Sequence, residues 1–319
     1  MEYNIAVTRE MYDNIMKRIE CDGDHLCFHV DNIKGYVERG ANPNINWFLR
    51  HKLNLLQLLC TYKLQGQDDM ALTSFQYLLS LPNIDTGYMN NEGKRLIHYL
   101  AKLSSVRFLK AFFQNNSHNN NNNYDPSRYI NWFAGQRTPH DIPDFDLQTP
   151  LSICIENHNN IEAVRILLQN GAKPNQKTSG GFSPFQIFIN DVLNFDMGEK
   201  EKDIFHMLLE FRADINTQDN RGDTPLHDAA REEDCGAVCL LLLQNGADMH
   251  MLNNRGRTPY TIAKPSNKPV FDRWLLHDKC DAFNTVLHPR AGRDSPYHDL
   301  TPELVRNIRH LAIIREPPQ

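Results

Sequence analysis

Four residues near the N-terminus of this chain are of types that bind metal ions. Cys21, His25, Cys27 and His29 lie close together in the sequence, and thiolates and imidazoles are the usual ligands of structural zinc. Their spacing matches no usual zinc pattern, however, and no second pair of ligands follows at a usual distance. We therefore predict no metal here and interpret Cys27 as a packing residue on the inner face of a helix.

Cysteine could also act as a nucleophile in this chain. Cys235 and Cys239 are four positions apart, and 14 histidines could supply a base. Yet the sequence contains neither a nucleophile elbow nor an HExxH motif. Gly180 and Gly181 lack the following Lys-Ser/Thr of a phosphate-binding loop, so we interpret them as a turn. We predict two packing thiols, no catalytic residue, no cofactor and no enzymatic activity.

The composition excludes several classes of protein. Of 319 residues, 34 are Lys or Arg and 39 are Asp or Glu, which leaves a net charge of −5. Nucleic-acid binding is not expected without a basic excess. No apolar run approaches the roughly 20 residues of a membrane span, and the first residues do not resemble a secretory signal. With an odd number of scattered cysteines, 7 in all, we expect an intracellular, cytoplasmic protein with reduced thiols. We also expect a monomer.

An internal repeat provides the elements that position these side chains. Its clearest copy opens with Asn-Arg-Gly-Asp-Thr-Pro-Leu-His at residues 220–227, continues through apolar residues 238–243 and closes with Asn-Gly-Ala-Asp at residues 245–248. The opening recurs at Thr258, which is 34 residues after Thr224, a period typical of solenoid proteins. Each copy has an apolar face that only a neighbouring copy can bury, so we expect the copies to stack.

These residues resemble the ankyrin-repeat family, whose unit reads G-x-T-P-L-H-x-A-A and continues with a leucine-rich helix and G-A-D. The resemblance implies an all-α repeat solenoid of stacked helix-turn-helix units with short hairpin loops. It implies about seven repeats, several of them degenerate, across residues 1–278, the first a degenerate N-terminal cap with helices at about Arg9–Ile19 and Phe28–Val37. The other units open near positions 54, 95, 149, 183, 224 and 258.

Local residue types in the clearest unit predict its backbone. Thr224, followed by proline, should cap and start a helix. Gly222 and Gly256 occupy positions where a tight turn needs a positive φ, and Gly246 should end the second helix in the left-handed conformation. The resemblance implies that the His227 imidazole bonds to neighbouring backbone within the repeat and ligates nothing.

Two stretches depart from a plain repeat array. An Asn-rich insertion at about 114–146 should include a mobile loop, and its Trp132 and Phe133 either pack on the repeats or anchor a partner. The charged stretch Asp191–Lys202 is interpreted as a solvated, lengthened link between two helices.

The C-terminal part reads as a linker at 279–298 followed by an amphipathic helix and tail at 299–319. The helix is similar to the opening of an F-box and to the elongin-binding helix of a SOCS box. Either resemblance implies a ubiquitin-ligase substrate adaptor, and the alternative is a helix that caps the last repeat. The residues that carry these resemblances are Leu300, Glu303, Leu304, Ile308 and Leu311.

The ankyrin resemblance implies a scaffold that binds one or more proteins through its hairpin tips and the concave face of its first helices. The Asn run and irregular insertions are also similar to ankyrin proteins that intracellular bacteria deliver into host cells, which implies a location in host cytoplasm. The tip residues of the predicted protein-binding site are Asn91, Glu92, Lys94, Asp146, Gln148, Asn220, Arg221, Asp223, Arg255 and Arg257, and its first-helix residues are Asp228, Arg231, Glu232 and Tyr260.

Overall fold

A computed structural model of the chain describes residues 3–22, 30–46, 52–61, 68–116, 130–131, 148–158, 160–193 and 198–275. These residues are helical and contain no extended strand. They divide into two compact units, Met1–Arg221 and Gly222–Gln319. The helices are α1 Ile5–Asp22, α2 Val30–Glu38, α3 Leu55–Thr61, α4 Asp68–Ser80, α5 Leu96–Leu103, α6 Val106–Asn116, α7 Pro150–His158, α8 Ile161–Gln169, α9 Pro184–Val192, α10 Glu199–Glu210, α11 Pro225–Arg231, α12 Gly236–Gln244 and α13 Pro259–Ile262.

The first unit is a stack of helix pairs in two layers. The first helices α3, α5, α7 and α9 contact one another in sequence, and so do the second helices α2, α4, α6, α8 and α10. Aromatic pairs join helices both within and between the layers. Phe75 of α4 lies 5.0 Å from Phe108 of α6 in the second-helix layer, and Phe185 of α9, in the first-helix layer, lies 5.5 Å from Phe205 of α10, between ring centroids. Each pair buries its apolar face against the next pair, which is the arrangement expected of an all-α repeat solenoid.

The second unit continues the same pattern. Helix α11 packs against both α12 and α13, and residues 268–275 are helical. Phe271 is fully buried, with its ring 6.1 Å from that of Tyr260. The Asn267 side-chain amide donates to the backbone oxygens of Ala230 and Glu232 at 3.2 and 2.7 Å. This amide therefore connects the end of α11 to the last described helix.

The predicted repeat openings coincide with helix starts. Positions 54, 95, 149, 183, 224 and 258 each immediately precede a first helix. Thr224 and Ser183 have extended backbone conformations, and their hydroxyls accept hydrogen bonds from the backbone N–H three residues later. The following proline has no N–H to leave unpaired at the first helical position. The predicted cap at Thr224 is thus confirmed.

Two predicted segments had wrong bounds. Helix α1 starts at Ile5 and not at Arg9, because the Asn4 side-chain oxygen accepts from the N–H groups of Ala6 and Val7 at 3.1 and 3.2 Å. The interpretation of Asp191–Lys202 as a link is wrong at both ends, since α9 continues to Val192 and α10 begins at Glu199.

The early start of α10 has a local cause. Acidic residues stabilise the positive end of a helix dipole, and Glu199 and Glu201 both lie in its first turn. The Lys202 ammonium is 2.8 Å from the Glu199 carboxylate. The charges that suggested a solvated link therefore stabilise the first turn of a helix.

Within the predicted insertion, Asn131 makes hydrogen bonds that are typical of a regular repeat. Its side-chain amide donates to the Gly171 carbonyl at 2.9 Å, and its side-chain oxygen accepts from the Lys173 N–H at 2.7 Å. Asn175 makes the equivalent pair of bonds to residues 212 and 214 at 2.8 and 2.7 Å. Helix α6 continues to Asn116, so the insertion falls into two parts, 117–129 and 132–147. Both parts, with Trp132 and Phe133, lie outside the described residues.

Candidate functional site

His227 connects two successive hairpins through its two ring nitrogens. Nδ1 accepts from the Thr224 N–H at 3.1 Å, and Nε2 lies 3.0 Å from the Arg257 carbonyl oxygen. A carbonyl only accepts, so Nε2 carries the proton and donates to it. The predicted bonding of His227 to backbone within its repeat is confirmed for Nδ1. It is wrong for Nε2, which bonds to the hairpin of the following repeat.

Other residue types perform the same task in other repeats. Gln57 accepts from the Asn54 N–H at 3.3 Å, while its amide donates to the carbonyls of Tyr88 and Lys94 at 3.1 and 3.3 Å. Ser152 bonds only within its own helix start, because its hydroxyl accepts from the Thr149 N–H at 2.8 Å. The position three residues after the helix cap therefore requires an acceptor, and a long side chain there also joins neighbouring hairpins. From the sequence, we predicted this bonding role only for His227.

The hairpin turns are built on glycines with positive φ. Gly222 has a φ of 74° and Gly256 a φ of 67°, which confirms the prediction for both. A Cβ on Gly222 would lie 2.7 Å from the backbone nitrogen of Asn254, whereas a Cβ on Gly256 would have nothing within 4 Å. Gly246, with a φ of 93°, follows α12 as predicted. Glycine therefore allows both the turn and the close approach of successive hairpins.

The structure places the predicted binding residues at different depths. Most of them lie at the surface, where a partner could reach them, but two aspartates do not. The exposed residues are Asn220, Arg221, Glu232, Arg255 and Arg257; the half-buried ones are Asn91, Glu92, Lys94, Gln148, Arg231 and Tyr260; the buried ones are Asp223 and Asp228; and Asp146 lies outside the described residues.

Asp223 and Asp228 are held inside the second unit by one arginine. The Arg231 guanidinium is 2.6 Å from Asp223 and 3.2 Å from Asp228, and the Asn253 side-chain amide donates to Asp223 at 2.7 Å. Burial raises the pKa of Asp223, but the hydrogen bonds from Asn253 and Arg231 and the arginine's charge outweigh it. The pKa is therefore below its ordinary value. At this point the surface presents Arg231, which is partly exposed, and not the two predicted carboxylates.

Four further predicted residues have partners on their own repeats. The Gln148 amide donates to the Glu156 carboxylate at 2.5 Å. The Tyr260 hydroxyl donates to Asp272 at 3.1 Å, and this hydrogen bond raises the pKa of the tyrosine. Lys94 pairs with Glu92 at 3.2 Å. These residues form a polar surface whose side chains already have defined positions.

Four cysteines, Cys60, Cys154, Cys235 and Cys239, are free and buried. Cys235 and Cys239, predicted to be packing residues, are 8% and 0% exposed. Burial raises the pKa of Cys239 to about 12 and that of Cys154 to about 11, and the thiolate is the reactive form. These thiols are therefore suited to packing and are poor nucleophiles.

The four N-terminal residues of metal-binding type, for which no metal was predicted, lie mostly outside the described residues. Cys21 is in α1, whereas His25, Cys27 and His29 fall in the gap after it. Among the residues that the structure does describe, no group of three or more His, Cys, Asp or Glu side chains could hold a metal ion.

Comparison with known families identifies this combination of caps, turns and helix pairs. A family model described as ankyrin repeats (many copies) matches residues 208–263, and one described as ankyrin repeat matches residues 146–179. These matches show that the chain contains ankyrin repeats. The predicted family and the all-α repeat solenoid are thereby confirmed.

Ankyrin relatives differ widely in size. The chain is 30% identical to the human transient receptor potential cation channel subfamily A member 1 over 164 residues, which are 50% of this chain and 14% of the channel. It is 26% identical to the I-Kappa-B like protein C2 of Microplitis demolitor bracovirus over 182 residues, 51% of this chain and 96% of the viral protein. The chain thus spans only a small part of the channel.

A solved structure supports the fold assignment. The ankyrin repeat domain of Bcl-3 superposes with a TM-score of 0.55 and 16% sequence identity, covering 85% of this chain and all of that domain. At this identity the likeness concerns the fold. The two units described above are built from the same kind of helix pair.

The predicted adaptor helix lies outside the described residues. Leu300, Glu303, Leu304, Ile308 and Leu311 all follow Leu275, the last residue that the structure describes. The F-box-like and SOCS-box-like interpretation of this segment therefore stays a prediction, as does its role as a cap.

Within the described residues, no helix combines the length and apolar character needed to cross a bilayer.

Proposed function

We propose that this ankyrin-repeat chain is a protein-interaction scaffold. It binds a partner through its hairpin tips and the exposed side of its first helices. The observation that carries this proposal is the combination of exposed tip side chains with a backbone fixed beneath them. Asn220, Arg221 and Arg257 are exposed, while the adjacent turns are closed by positive-φ glycines and bonded to the preceding repeat.

A fixed backbone favours recognition because little order remains to be gained on binding. Asn220 shows how the tips are fixed, since its amide donates to the Ser179 carbonyl of the previous hairpin at 2.9 Å. The charges at the tips are of both signs, which favours orientation of a partner and selection among partners over raw affinity.

The cysteines support a reducing location for this activity. Cys60, Cys154, Cys235 and Cys239 are free thiols buried in the two units, and disulfides are the usual state of cysteines in oxidising compartments. We infer that the scaffold acts inside a cell. The narrower assignment to host cytoplasm stays a prediction from the resemblance to delivered bacterial proteins.

Site-directed photocrosslinking in living cells tests the proposal. A photoreactive amino acid is placed at Arg221 or Arg257 on the tips and, as a matched control, at Lys34 or Lys200 on second helices. All four side chains are exposed. We expect crosslinks to a defined protein from the tip positions only, identified by mass spectrometry. Crosslinks from the second helices alone, or the same proteins from all four positions, would contradict the proposed surface.

A further inference from the structure

The last described hairpin tip, residues 252–257, presents two arginines and a leucine on a closed turn. Arg255 and Arg257 are exposed, and Leu252 is 57% exposed. The Asn253 side-chain oxygen accepts from the N–H groups of Arg255 and Arg257 at 3.0 and 3.1 Å. This bonding fixes the backbone from which both guanidinium groups extend.

Basic residues at the corresponding positions of two other tips have carboxylate partners. Arg221, which corresponds to Arg255, lies 2.8 Å from Asp219, whereas the position of Asp219 is taken by Asn253 in the last tip. An amide there supports the turn but supplies no negative charge. Arg255 therefore lacks the partner that Arg221 has.

Arg257 also lacks the carboxylate partner that the corresponding residue has in another tip. Lys94, which corresponds to Arg257, pairs with Glu92 at 3.2 Å, but the position of Glu92 is taken by Arg255. Neither Arg255 nor Arg257 has an ion-pair partner within 4.0 Å among the residues that the structure describes.

Nearby aspartates do not neutralise the two guanidinium groups. Asp223 is 2% exposed and is bonded to Asn253 and Arg231. Asp248, at the base of the hairpin, accepts from the His250 N–H at 2.8 Å. The tip thus combines positive charge with an exposed apolar side chain, and a complementary surface requires carboxylates next to an apolar group.

We propose that the 252–257 tip binds a protein segment in which Asp or Glu residues flank an apolar side chain. This inference rests on the proposed scaffold function and names the chemistry of its partner. Carboxylates of the segment pair with Arg255 and Arg257, and its apolar side chain packs on Leu252. A polypeptide is favoured over a nucleic acid because the tip offers only two cationic side chains beside the exposed Leu252, whereas a phosphate backbone is bound through many Lys and Arg contacts.

Selection from a random peptide display library tests this inference with the full chain. The variants are Arg255→Gln with Arg257→Gln, and Leu252→Ser. The matched control is Lys200→Gln with Arg273→Gln, which removes the same charge from exposed positions outside the tip. Enriched peptides are sequenced, and their affinities are measured by fluorescence anisotropy at low and high salt beside a single-stranded RNA oligonucleotide.

We expect peptides enriched in Asp and Glu beside leucine or an aromatic residue. Their affinity should fall about tenfold in the double arginine variant, since each charge-assisted contact contributes roughly a factor of three. It should also fall in the Leu252→Ser variant and at high salt, and remain unchanged in the control.

Three outcomes would overturn the inference: peptides without acidic enrichment, equal affinity in the double variant, or tighter binding of the RNA than of any peptide. Peptides that bind other tips regardless of the arginines would leave the scaffold function standing. If no peptide bound any part of the chain, the scaffold proposal would be contradicted as well.

Discussion

At the scale of single residues, a side chain three positions after the helix cap does two jobs in this chain. In His227 one ring nitrogen accepts from its own helix start, and the other donates to the next hairpin. Gln57 does both with its amide. This position requires a planar side chain that carries both a hydrogen-bond acceptor and a donor. Both histidine and glutamine meet that requirement.

Replacing His227 by alanine should therefore destabilise the second unit, and replacing it by glutamine should not. Alanine leaves the buried Thr224 N–H without its acceptor. It also removes one of the two donors to the Arg257 carbonyl, which still accepts from the Asn253 N–H at 2.9 Å. We expect a loss of about 1–3 kcal/mol in the free energy of unfolding, and less than about 1 kcal/mol for His227→Gln, which retains the donor and acceptor. Urea denaturation followed by circular dichroism measures both; equal losses would contradict the two-ended role.

The buried Asp223 should make stability depend on acid. Its pKa in the folded chain is below the ordinary value, so its contribution is fully present above the ordinary pKa of about 3.9 and is lost as pH falls through the folded pKa. We expect the free energy of unfolding to decline over this acid range, measured by urea titrations at successive pH values. The Asp223→Asn variant should be less stable at neutral pH and show a shallower decline. An unchanged decline would show that other groups dominate.

At the scale of elements, successive hairpins approach closely enough for one glycine to matter more than another. Gly222 and Gly256 have similar positive φ values, but only Gly222 lies against the backbone of Asn254. Substituting alanine at each glycine therefore distinguishes the free-energy cost of a positive φ from the additional cost of a steric clash between neighbouring hairpins.

We expect Gly256→Ala to cost about 1 kcal/mol, the penalty of a left-handed conformation, and Gly222→Ala to cost about 3 kcal/mol, because steric overlap adds to that penalty. Chemical denaturation of the two variants measures the difference. Equal costs would mean that the hairpins separate freely to accommodate the added methyl group.

Sequence alone predicted the first-helix starts after positions 149, 183, 224 and 258 because a Thr or Ser cap and the following proline act locally. The starts after Asn54 and Arg95 lack that proline and were predicted from their resemblance to the repeat. Sequence alone missed the burial of Asp223, which depends on Asn253 in the next hairpin, 30 residues away. It also missed Asn131, whose partners at Gly171 and Lys173 are 40 or more residues away. Contacts between repeats cannot be predicted from local sequence patterns, and these contacts determine which of the predicted tip residues are exposed to solvent.

At the scale of the whole molecule, the buried thiols provide an internal measure of integrity. Cys60 and Cys154 lie in the first unit, and Cys235 and Cys239 in the second. Burial raises the pKa of each of them, so little thiolate is present near neutral pH.

These four cysteines should resist iodoacetamide at pH 8 in the folded chain and react readily in urea. Cys235, the most exposed at 8%, should react first. Peptide mass spectrometry after timed alkylation measures each site and reports on each unit separately. Rapid modification of Cys239 without denaturant would contradict the packing described for α12.

Asn131 makes the bonds that Asn175 makes in a regular repeat, and its partners are residues 171 and 173. These bonds do not depend on how many residues precede or follow Asn131, and each doubling of a connection's length costs only about 0.6 kcal/mol. Insertions, deletions or sequence changes at 117–129 and 132–147 should therefore cost the neighbouring repeats little. A lineage carrying this gene could diversify here by insertion and deletion, while the helices on either side are inherited unchanged.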